Sequence, residues 1–334
     1  MMRLPKMDYF APSTVLEACS LLDKHGTEAR VLAGGTDLLA ACKLGNIRPA
    51  LLVSLGGISE LKGIRFHEEE GLRIGAMTSL YGVRYYPAIL DQYPALAQAA
   101  AAVGTVQLQH MGTLGGNLCL NTRCIYYNQS DNWRKSRAVC FKMGGDVCHV
   151  VPRGKKCYAV FSADTVPALI ALDARVKLIS TAGERIVPVS QLYTNDGKKS
   201  ITLKSGEVLA EIRIPPIFGR QSSFYLKYRE REAIDFPLTG VAVRMDSNGD
   251  GICTDCKVVL NAVGSAPTEV LKAGETLKGR VPTANLINQA AEKAAKKAHP
   301  VRNTPGSSPA YRRKMVGILT RRALLAAANR LGFL

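Results

Sequence analysis

The distribution of apolar residues divides the chain into two halves of different character. In the first half, short apolar runs alternate with glycine turns and with longer segments of helical spacing. A capping box, Thr14-Val-Leu-Glu17, marks the start of the first helix, and Gly26 stands where a C-cap glycine belongs. The pattern predicts strands over 30–33, 51–55 and 72–76, and helices over 14–26, 37–44 and 91–103.

The second half is richer in strands that are separated by polar turns. Pro215-Pro216 interrupts the apolar pattern, so we predict a boundary near residue 220 and two domains, 1–220 and 221–334. Asp246 to Asp250 is a polar turn between two apolar runs, which is a hairpin signal. The predicted strands cover 176–179, 211–214, 238–245 and 251–263, and a basic amphipathic helix covers 309–331.

Length and composition are typical of a globular protein. The 334 residues are 47% apolar, which is enough for the cores of two or three domains. The N-terminus has no apolar signal segment and no apolar run reaches about 18 residues, so we expect a cytoplasmic protein without a membrane span. In that compartment the nine cysteines are better explained as metal ligands or buried thiols than as disulfides.

The net charge of +17 is concentrated in two zones. Residues 121–160 contain eight basic residues and two aspartates, and residues 290–334 contain ten basic residues and one glutamate. Aromatic residues make up only 6% of the chain and no nucleic-acid-binding module is recognisable, so we do not expect nucleic acid as a partner. An acidic protein partner or an anionic cofactor fits the charge better.

Two double-glycine turns are candidates for binding a phosphate group. Both Leu32-Ala-Gly-Gly-Thr-Asp-Leu38 and Thr113-Leu-Gly-Gly-Asn117 place small residues before a helical segment, where backbone N–H groups can approach an anion. The simpler alternative is that the glycines only permit tight turns. Neither turn has the G-x-G-x-x-G pattern and no P-loop occurs, which disfavours nicotinamide and nucleoside triphosphate enzymes.

Four cysteines lie within the first basic zone, at positions 124, 140, 148 and 157. Their number suits either zinc or an iron–sulfur cluster, and the paired knuckles of common zinc modules are absent. The nearby lysines and arginines would offset the negative charge of a tetrathiolate cluster. A cluster, zinc and buried thiols without metal remain open from the residues alone.

The C-x-x-C pair Cys253 and Cys256 is a weaker metal or redox candidate. It lies within a strand-like run, and residues i and i+3 of a strand point to opposite faces of the sheet. We therefore expect the two thiols to diverge and to be structural. Cys19 and Cys42, on predicted helices, are expected to be buried as small apolar residues.

The motifs taken in order resemble a known family along nearly the whole chain. The two double-glycine turns, Ser162-Ala-Asp-Thr-Val-Pro167 and Leu209-Ala-Glu-Ile-Arg-Ile-Pro215 are similar to segments of the FAD-binding medium subunit of the xanthine oxidase family of molybdenum hydroxylases. The resemblance implies an α+β fold, in which an FAD-binding domain of two subdomains, of the vanillyl-alcohol-oxidase type, is followed by a C-terminal domain with an antiparallel sheet and helices.

Matching positions imply the residues that would contact FAD. The first turn would wrap the pyrophosphate and ribityl chain, the second would form another wall, Asp164 would bond toward the adenosine portion, and Leu209 and Lys227 would lie near the isoalloxazine. The implied cofactor-binding residues are Leu32, Ala33, Gly34, Gly35, Thr36, Asp37, Leu38, Thr113, Gly115, Gly116, Asn117, Asp164, Leu209 and Lys227.

Residues 119–160 depart from most of the family. About 40 residues separate the second glycine turn from the segment around Asp164, where most members have only a few. This insertion resembles the medium subunit of 4-hydroxybenzoyl-CoA reductase, which carries an additional [4Fe–4S] cluster. The resemblance implies that Cys124, Cys140, Cys148 and Cys157 bind such a cluster, with Cys119 spare.

The implied function is electron transfer, with no catalytic residue in this chain. In the reductase, electrons from an acidic ferredoxin pass through the [4Fe–4S] cluster and FAD to partner subunits, a small one with [2Fe–2S] and a large one with molybdenum, in a dimer of heterotrimers. There the phenolic hydroxyl of the substrate is removed. Two alternatives remain: a medium subunit of an aldehyde or N-heterocycle hydroxylase that passes electrons outward, and a zinc-stabilised flavin-binding module.

Overall fold

The computed structural model describes residues 3–334, and its N-terminal layer is a small parallel sheet. The elements of this layer are β1 (Asp8–Phe10), α1 (Val15–His25), β2 (Ala29–Leu32), α2 (Leu38–Lys43) and β3 (Leu51–Ser54). The strand order is β1-β3-β2. The capping box is confirmed, because Thr14 Oγ1 accepts the Glu17 N–H at 3.1 Å, and Gly26 ends the helix with φ of +50°. The apolar face of α1 packs on the sheet.

The second layer is a five-stranded antiparallel sheet covered by short helices. Its strands are β4 (Ile64–His67), β5 (Gly71–Gly75), β6 (Arg175–Ser180), β7 (Gly183–Pro188) and β8 (Val208–Ile214), in the order β4-β5-β8-β6-β7. The helices between β5 and β6 are α3 (Leu80–Tyr85), α4 (Pro87–Gln92), α5 (Pro94–Ala102), α6 (Val106–Met111), α7 (Leu114–Leu118), α8 (Asp131–Lys135) and α9 (Thr165–Ala171). Together they enclose the largest apolar core.

The helix expected over 91–103 is interrupted near its start. Pro94 has no N–H group to continue α4, and it instead occupies the first turn of α5, where that N–H is not needed. The alanine-rich part of the prediction is confirmed as α5, whose alanines allow close packing against β9 (Arg220–Tyr228) of the next layer.

The third layer is a four-stranded antiparallel sheet that lies between two sets of helices. Its remaining elements are β10 (Thr239–Ser247), β11 (Cys253–Asn261), β12 (Thr268–Glu269), α10 (Leu271–Leu277), α11 (Ala284–Lys297) and α12 (Pro309–Leu331), and the strand order is β12-β11-β10-β9. One face packs against α10 to α12. The other contributes Tyr225, Ala242 and Val259 to the large core beneath α5 and α9. The predicted hairpin is β10–β11, and the α+β class is confirmed.

The expected divergence of Cys253 and Cys256 is wrong because β11 contains a bulge. Ser247 pairs with Cys253 and Asp246 with Asp255, so Thr254 is an extra residue on β11. The extra residue turns Cys253 to the same face as Cys256, and both side chains are buried in the core against α10 to α12. The two cysteines remain structural residues in this arrangement.

The insertion at 119–160 contains little regular structure and forms a closed loop. Arg123 and Val160 exchange two backbone hydrogen bonds of 2.8 and 2.7 Å at its base. We refer to residues 124–159 between them as the cysteine loop. Asn303, in the segment before α12, holds the loop from the other side: its carbonyl accepts the Ile125 N–H at 3.0 Å, and its amide donates to Tyr158 O at 2.7 Å.

Candidate functional site

The first glycine turn connects β2 to α2 at the carboxyl end of the small parallel sheet. Gly35 has φ of +72°, and a Cβ on Gly34 would lie 1.8 Å from the carbonyl oxygen of Met111. Glycine is therefore required at both positions, for different reasons. The N–H groups of Gly34, Gly35 and Thr36 donate to no acceptor within residues 3–334. Unpaired N–H groups in a glycine turn suit a phosphate group, which fits the pyrophosphate of FAD.

The second glycine turn has a different hydrogen-bonding state. Thr113 caps α7 by accepting the Gly116 N–H at 3.1 Å. The N–H groups of Gly115 and Asn117 also have acceptors within the chain, at 2.8 and 2.9 Å. The Asn117 side chain is buried and accepts the Thr165 hydroxyl at 2.7 Å. This turn is a rigid wall whose N–H groups are already paired.

The two turns lie directly against each other, as the sequence predicts for two walls of one site. A Cβ on Gly116 would lie 3.7 Å from the Cβ of Ala33, and one on Gly112 would lie 3.7 Å from Thr36 Oγ1. Leu209 is close to the second turn, since the neighbouring Ala210 carbonyl accepts the Ala76 N–H, and the Ala76 carbonyl accepts that of Gly115. The Leu209 side chain is buried in the large core.

Asp164 and Lys227, two of the predicted flavin contacts, bind each other. Lys227 Nζ donates to Asp164 Oδ2 at 2.9 Å, and the Tyr225 hydroxyl donates to Oδ1 at 2.7 Å. Burial raises the pKa of Asp164, while Lys227 and Tyr225 oppose that rise. Two of the fourteen predicted contacts thus form a buried ion pair of their own, and their contact with a flavin stays a prediction.

Asp37 connects the first glycine turn to the base of the cysteine loop. It occupies the N-cap of α2 but makes no capping bond there. Its Oδ1 instead lies 3.3 Å from Arg123 Nη1, and the Arg123 guanidinium lies 4.1 Å from the ring centre of Phe236. Burial raises the pKa of Asp37, and the positive charges of Arg123 and Lys142 lower it. From the sequence, Arg123 was only one of eight charges in a basic zone.

The four cysteines that the sequence singles out line one small cavity of about 20 Å³. Cys148 and Cys157 are buried, and Cys124 and Cys140 are partly exposed. The sulfur atoms are close enough to influence one another, since Cys140 and Cys148 help to raise the pKa of Cys124. Burial raises the pKa of Cys157 to about 11. The thiols of Cys124 and Cys157 are thus protonated until a cation replaces their protons.

Hydrogen-bond donors and one ammonium group surround these sulfur atoms. Backbone N–H groups of Tyr126 and Tyr127 lower the pKa of Cys124, and that of Ala159 acts in the same direction on Cys157. Lys142 lines the cavity as well, and burial lowers the pKa of its ammonium to about 8. Its Nζ is held by Asn121 Oδ1, Thr122 Oγ1 and Gly197 O at 2.8, 2.5 and 2.6 Å.

An aromatic cluster that the sequence did not reveal covers the outside of the cavity. The Tyr126 ring centre lies 5.9 Å from that of Trp133 and 5.2 Å from that of His149. Arg137 stacks on Trp133 at 3.5 Å. Tyr126 and His149 also line the cysteine cavity. The sequence contained one signal for this cluster, namely that the only tryptophan of the chain is followed by basic residues.

The other cysteines lie apart from this cavity. Cys119 is exposed, and Cys19 and Cys42 are buried as expected. Within residues 3–334, no three or more histidine, cysteine, aspartate and glutamate side chains are placed closely enough to hold a metal ion as they stand. The four cysteines line the cavity without the tight grouping that a single tetrahedral ion requires. No helix in the described part of the chain could span a membrane.

Comparison with known proteins identifies the fold and an FAD-binding domain. The family described as "FAD binding domain in molybdopterin dehydrogenase" matches residues 5–217. The family described as "CO dehydrogenase flavoprotein C-terminal domain" matches residues 224–327. A flavoprotein of the molybdenum hydroxylase class is thus the kind of protein that these layers and turns define.

Individual relatives match this chain over three quarters of its length or more. The carbon monoxide dehydrogenase medium chain of Hydrogenophaga pseudoflava is 30% identical over 97% of each chain. A solved structure of carbon monoxide dehydrogenase from the same organism, lacking the molybdenum-pyranopterin moiety, superimposes with a TM-score of 0.81 at 27% identity, over 98% of this chain and 99% of that one. The aldehyde oxidoreductase FAD-binding subunit PaoB of Escherichia coli is 30% identical over 75% and 79% of the two chains.

The chain therefore belongs to the family of FAD-binding medium subunits of molybdenum hydroxylases. It is an electron-transferring flavoprotein subunit of an oxidoreductase complex of this family. The resemblance inferred from the sequence motifs is confirmed at this level.

Proposed function

We propose that this chain carries FAD at the glycine turns and a [4Fe–4S] cluster in the cysteine cavity, and passes electrons between a molybdenum-containing partner and an external carrier. One observation carries the proposal: Cys124, Cys140, Cys148 and Cys157 come from distant points of the loop and line a single cavity. Four cysteines at one cavity are the ligand set that a [4Fe–4S] cluster uses.

The cavity favours a cluster over the zinc alternative. A cube of four irons and four sulfides holds its thiolates further apart than one tetrahedral ion does, which agrees with four cysteines that line one cavity without grouping tightly. The N–H donors beside Cys124 and Cys157 and the ammonium of Lys142 would offset the negative charge of a bound cluster. Such donors also set the reduction potential of iron–sulfur sites.

For the flavin, we propose the fourteen contacts implied by the sequence, with different tasks for the two turns. The unpaired N–H groups of Gly34, Gly35 and Thr36 would bind the pyrophosphate, and the paired second turn would shape the wall. When bound, FAD would supply exchange between two-electron and one-electron transfer. Lys227, near the ring in this proposal, would stay fixed by Asp164, which keeps its charge in one place.

The direction of electron flow that fits the relatives best is outward from substrate. Carbon monoxide dehydrogenase and aldehyde oxidoreductase are named for oxidations, so a medium subunit of an aldehyde or N-heterocycle hydroxylase is the first candidate. The second candidate is the reductive route of 4-hydroxybenzoyl-CoA reductase. It is favoured by the cysteine-containing insertion and by its basic surface, onto which an acidic ferredoxin could dock.

We further propose the assembly and domain division that the sequence suggested. A large molybdenum-cofactor subunit and a small [2Fe–2S] subunit would complete a heterotrimer, two of which would form the complex. The division into an FAD-binding domain, 1–220, with the insertion 119–160, and a C-terminal domain, 221–334, is supported by family matches that end at 217 and resume at 224. β9, β10 and β11 nevertheless contribute to the large core of the first domain.

The test is chemical analysis of the complex purified without oxygen. We expect iron and acid-labile sulfide beyond what the [2Fe–2S] subunit contributes, one FAD per chain of this subunit, and no zinc. A yellow medium subunit without iron would refute the cluster, and stoichiometric zinc would establish the zinc alternative. The substrate that reduces the purified complex, tested with aldehydes, N-heterocycles and an aromatic CoA thioester, would separate the two directions.

A further inference from the structure

We propose that Arg123 is a positioning residue that makes FAD affinity depend on the folded cysteine loop, through its ion pair with Asp37. This inference rests on the proposed function, because it assumes that the first glycine turn binds FAD. It assigns a role to a residue outside both sets of predicted ligands. The argument begins with how the Arg123 side chain is held.

The backbone of Arg123 is fixed by closure of the cysteine loop. Its N–H donates to Val160 O and its carbonyl accepts the Val160 N–H, so the two residues form the base of the loop. Cys124, the next residue, is the first thiol of the cavity. The place of the guanidinium is therefore set by whether the two ends of the loop are paired.

The Arg123 side chain has one anionic partner and one aromatic partner. Asp37 accepts its hydrogen bond at 3.3 Å, and the Phe236 ring lies 4.1 Å beneath the guanidinium. About a third of each charged side chain remains exposed. Asp37 could cap its own helix, as N-cap aspartates commonly do, but its carboxylate is used for this pair. The ion pair thus links the first glycine turn to the cysteine loop, and it replaces the N-cap hydrogen bond that Asp37 could make within α2.

The ion pair of Asp37 and Arg123 affects FAD binding because it changes the charge beside the first glycine turn. The N–H groups of Gly34, Gly35 and Thr36 have no acceptor in the described chain and are free to bind an anion, and Asp37 is the next residue along the chain. An unpaired carboxylate beside a bound diphosphate would repel it through a partly buried medium. Arg123 cancels that charge, and Lys142 on the same side adds a second cation. Without Arg123, the negative charge of Asp37 would repel the negatively charged diphosphate of FAD.

Coupling of this kind is reciprocal. If a folded cysteine loop strengthens FAD binding through Arg123, bound FAD must stabilise the loop by the same factor. The pair is partly exposed, so a moderate effect is expected. We expect Arg123→Gln to weaken FAD binding roughly two- to fivefold.

The experiment measures FAD affinity of the flavin-free complex by fluorescence titration. Arg123→Gln, Asp37→Asn and the double variant are compared with Arg153→Gln, which removes an exposed charge elsewhere in the cysteine loop. We expect weaker binding in Arg123→Gln than in Arg153→Gln. In the Asp37→Asn background the Arg123→Gln substitution should cost clearly less affinity than it does in the wild type, because no carboxylate is left to repel the diphosphate.

Two results would overturn the proposal. Equal affinities in Arg123→Gln and Arg153→Gln would show that the pair has no influence on FAD. An equal loss of affinity from Arg123→Gln in the wild-type and Asp37→Asn backgrounds would show that Arg123 only maintains local structure. Iron content, measured on the same samples, separates this inference from the proposed function: an iron-free wild type refutes the cluster, while the FAD titrations still decide the role of Arg123.

Discussion

The ammonium group of Lys227 joins three separate segments around the carboxylate of Asp164. Nζ donates to Asp164 Oδ2 at 2.9 Å and to the carbonyl oxygens of Ala102 and Asp235 at 2.8 Å. The charged side chains are 4% and 5% exposed. All three donors of the ammonium are thereby used. The pair fixes β9, the start of α9 and the end of α5 relative to one another.

Replacing Lys227 by methionine should be strongly destabilising. The substitution leaves the Asp164 carboxylate buried with Tyr225 as its remaining side-chain partner. Removing one member of a buried ion pair costs about 3–5 kcal/mol of unfolding free energy. The urea midpoint of the flavin-free subunit should fall accordingly. The double variant Lys227→Met/Asp164→Asn should lose clearly less unfolding free energy. Equal losses in the single and double variants would show that the unpaired charge of Asp164 does not cause the destabilisation.

The decrease in unfolding free energy caused by Lys227→Met should also depend on pH. Burial already raises the pKa of Asp164, and Lys227 is the main group that lowers it, so its removal raises the folded-state pKa further. A raised carboxyl pKa favours the folded state at low pH, and this contribution disappears as the pH rises through the raised value. Urea unfolding should therefore show a smaller loss at pH 5 than at pH 8. A loss independent of pH would contradict this account.

Gly34→Ala should impair flavin binding by forcing the two glycine turns apart. The added Cβ would overlap the Met111 carbonyl oxygen, a backbone atom that cannot move alone. Overpacking of this kind costs about 1–3 kcal/mol, which corresponds to a loss of roughly fivefold to a hundredfold in affinity. Flavin retained per chain after gel filtration is the measurement. Gly56→Ala, whose Cβ would meet its nearest neighbour at 3.5 Å, is the control and should retain FAD.

Cysteine variants should distinguish ligands of the proposed cluster from cysteines that bind no iron. Cys148→Ser removes a buried thiol of the cavity, and we expect most of the additional iron of this subunit to be lost. Cys119→Ser removes an exposed thiol outside the cavity and should leave the iron unchanged. Anaerobic iron analysis of the two variants tests the assignment. Similar iron contents in both would exclude Cys148 as a ligand.

Electron exchange with an acidic ferredoxin should slow as salt is added. Basic residues of the insertion lie around Trp133 and the cysteine cavity. At physiological salt, the attraction between exposed charges is largely screened beyond about 8 Å. Stopped-flow rates should fall several-fold between low and moderate salt. Rates with a neutral redox dye serve as the control. A salt-independent rate with ferredoxin would remove the argument for electrostatic docking.

The sequence predicted those features of the site that depend on local patterns. Glycine turns, the capping box at Thr14 and the four cysteines can be found by spacing and residue type. Their shared cavity could be expected only from the family resemblance, because the spacing of Cys124 to Cys157 does not say whether the loop folds back. The β-bulge at Thr254 was invisible because a single inserted residue leaves the apolar pattern almost unchanged.

Long-range polar pairs were the part that the sequence could not provide. Asp37 and Arg123 are 86 positions apart, and Asp164 and Lys227 are 63 apart. Nothing in the neighbourhood of either aspartate identifies its partner, because the pairing follows from how separate layers pack. The same holds for the contact of Tyr126 with Trp133 and His149, which depends on the course of an irregular loop.

The central claim is that one chain holds both FAD and a [4Fe–4S] cluster, and native mass spectrometry of the anaerobically purified complex tests it most directly. Gentle dissociation of the complex should release this subunit with a mass increment equal to one FAD plus four irons and four sulfides. An increment of FAD alone, or of FAD with a single zinc ion, would contradict the account.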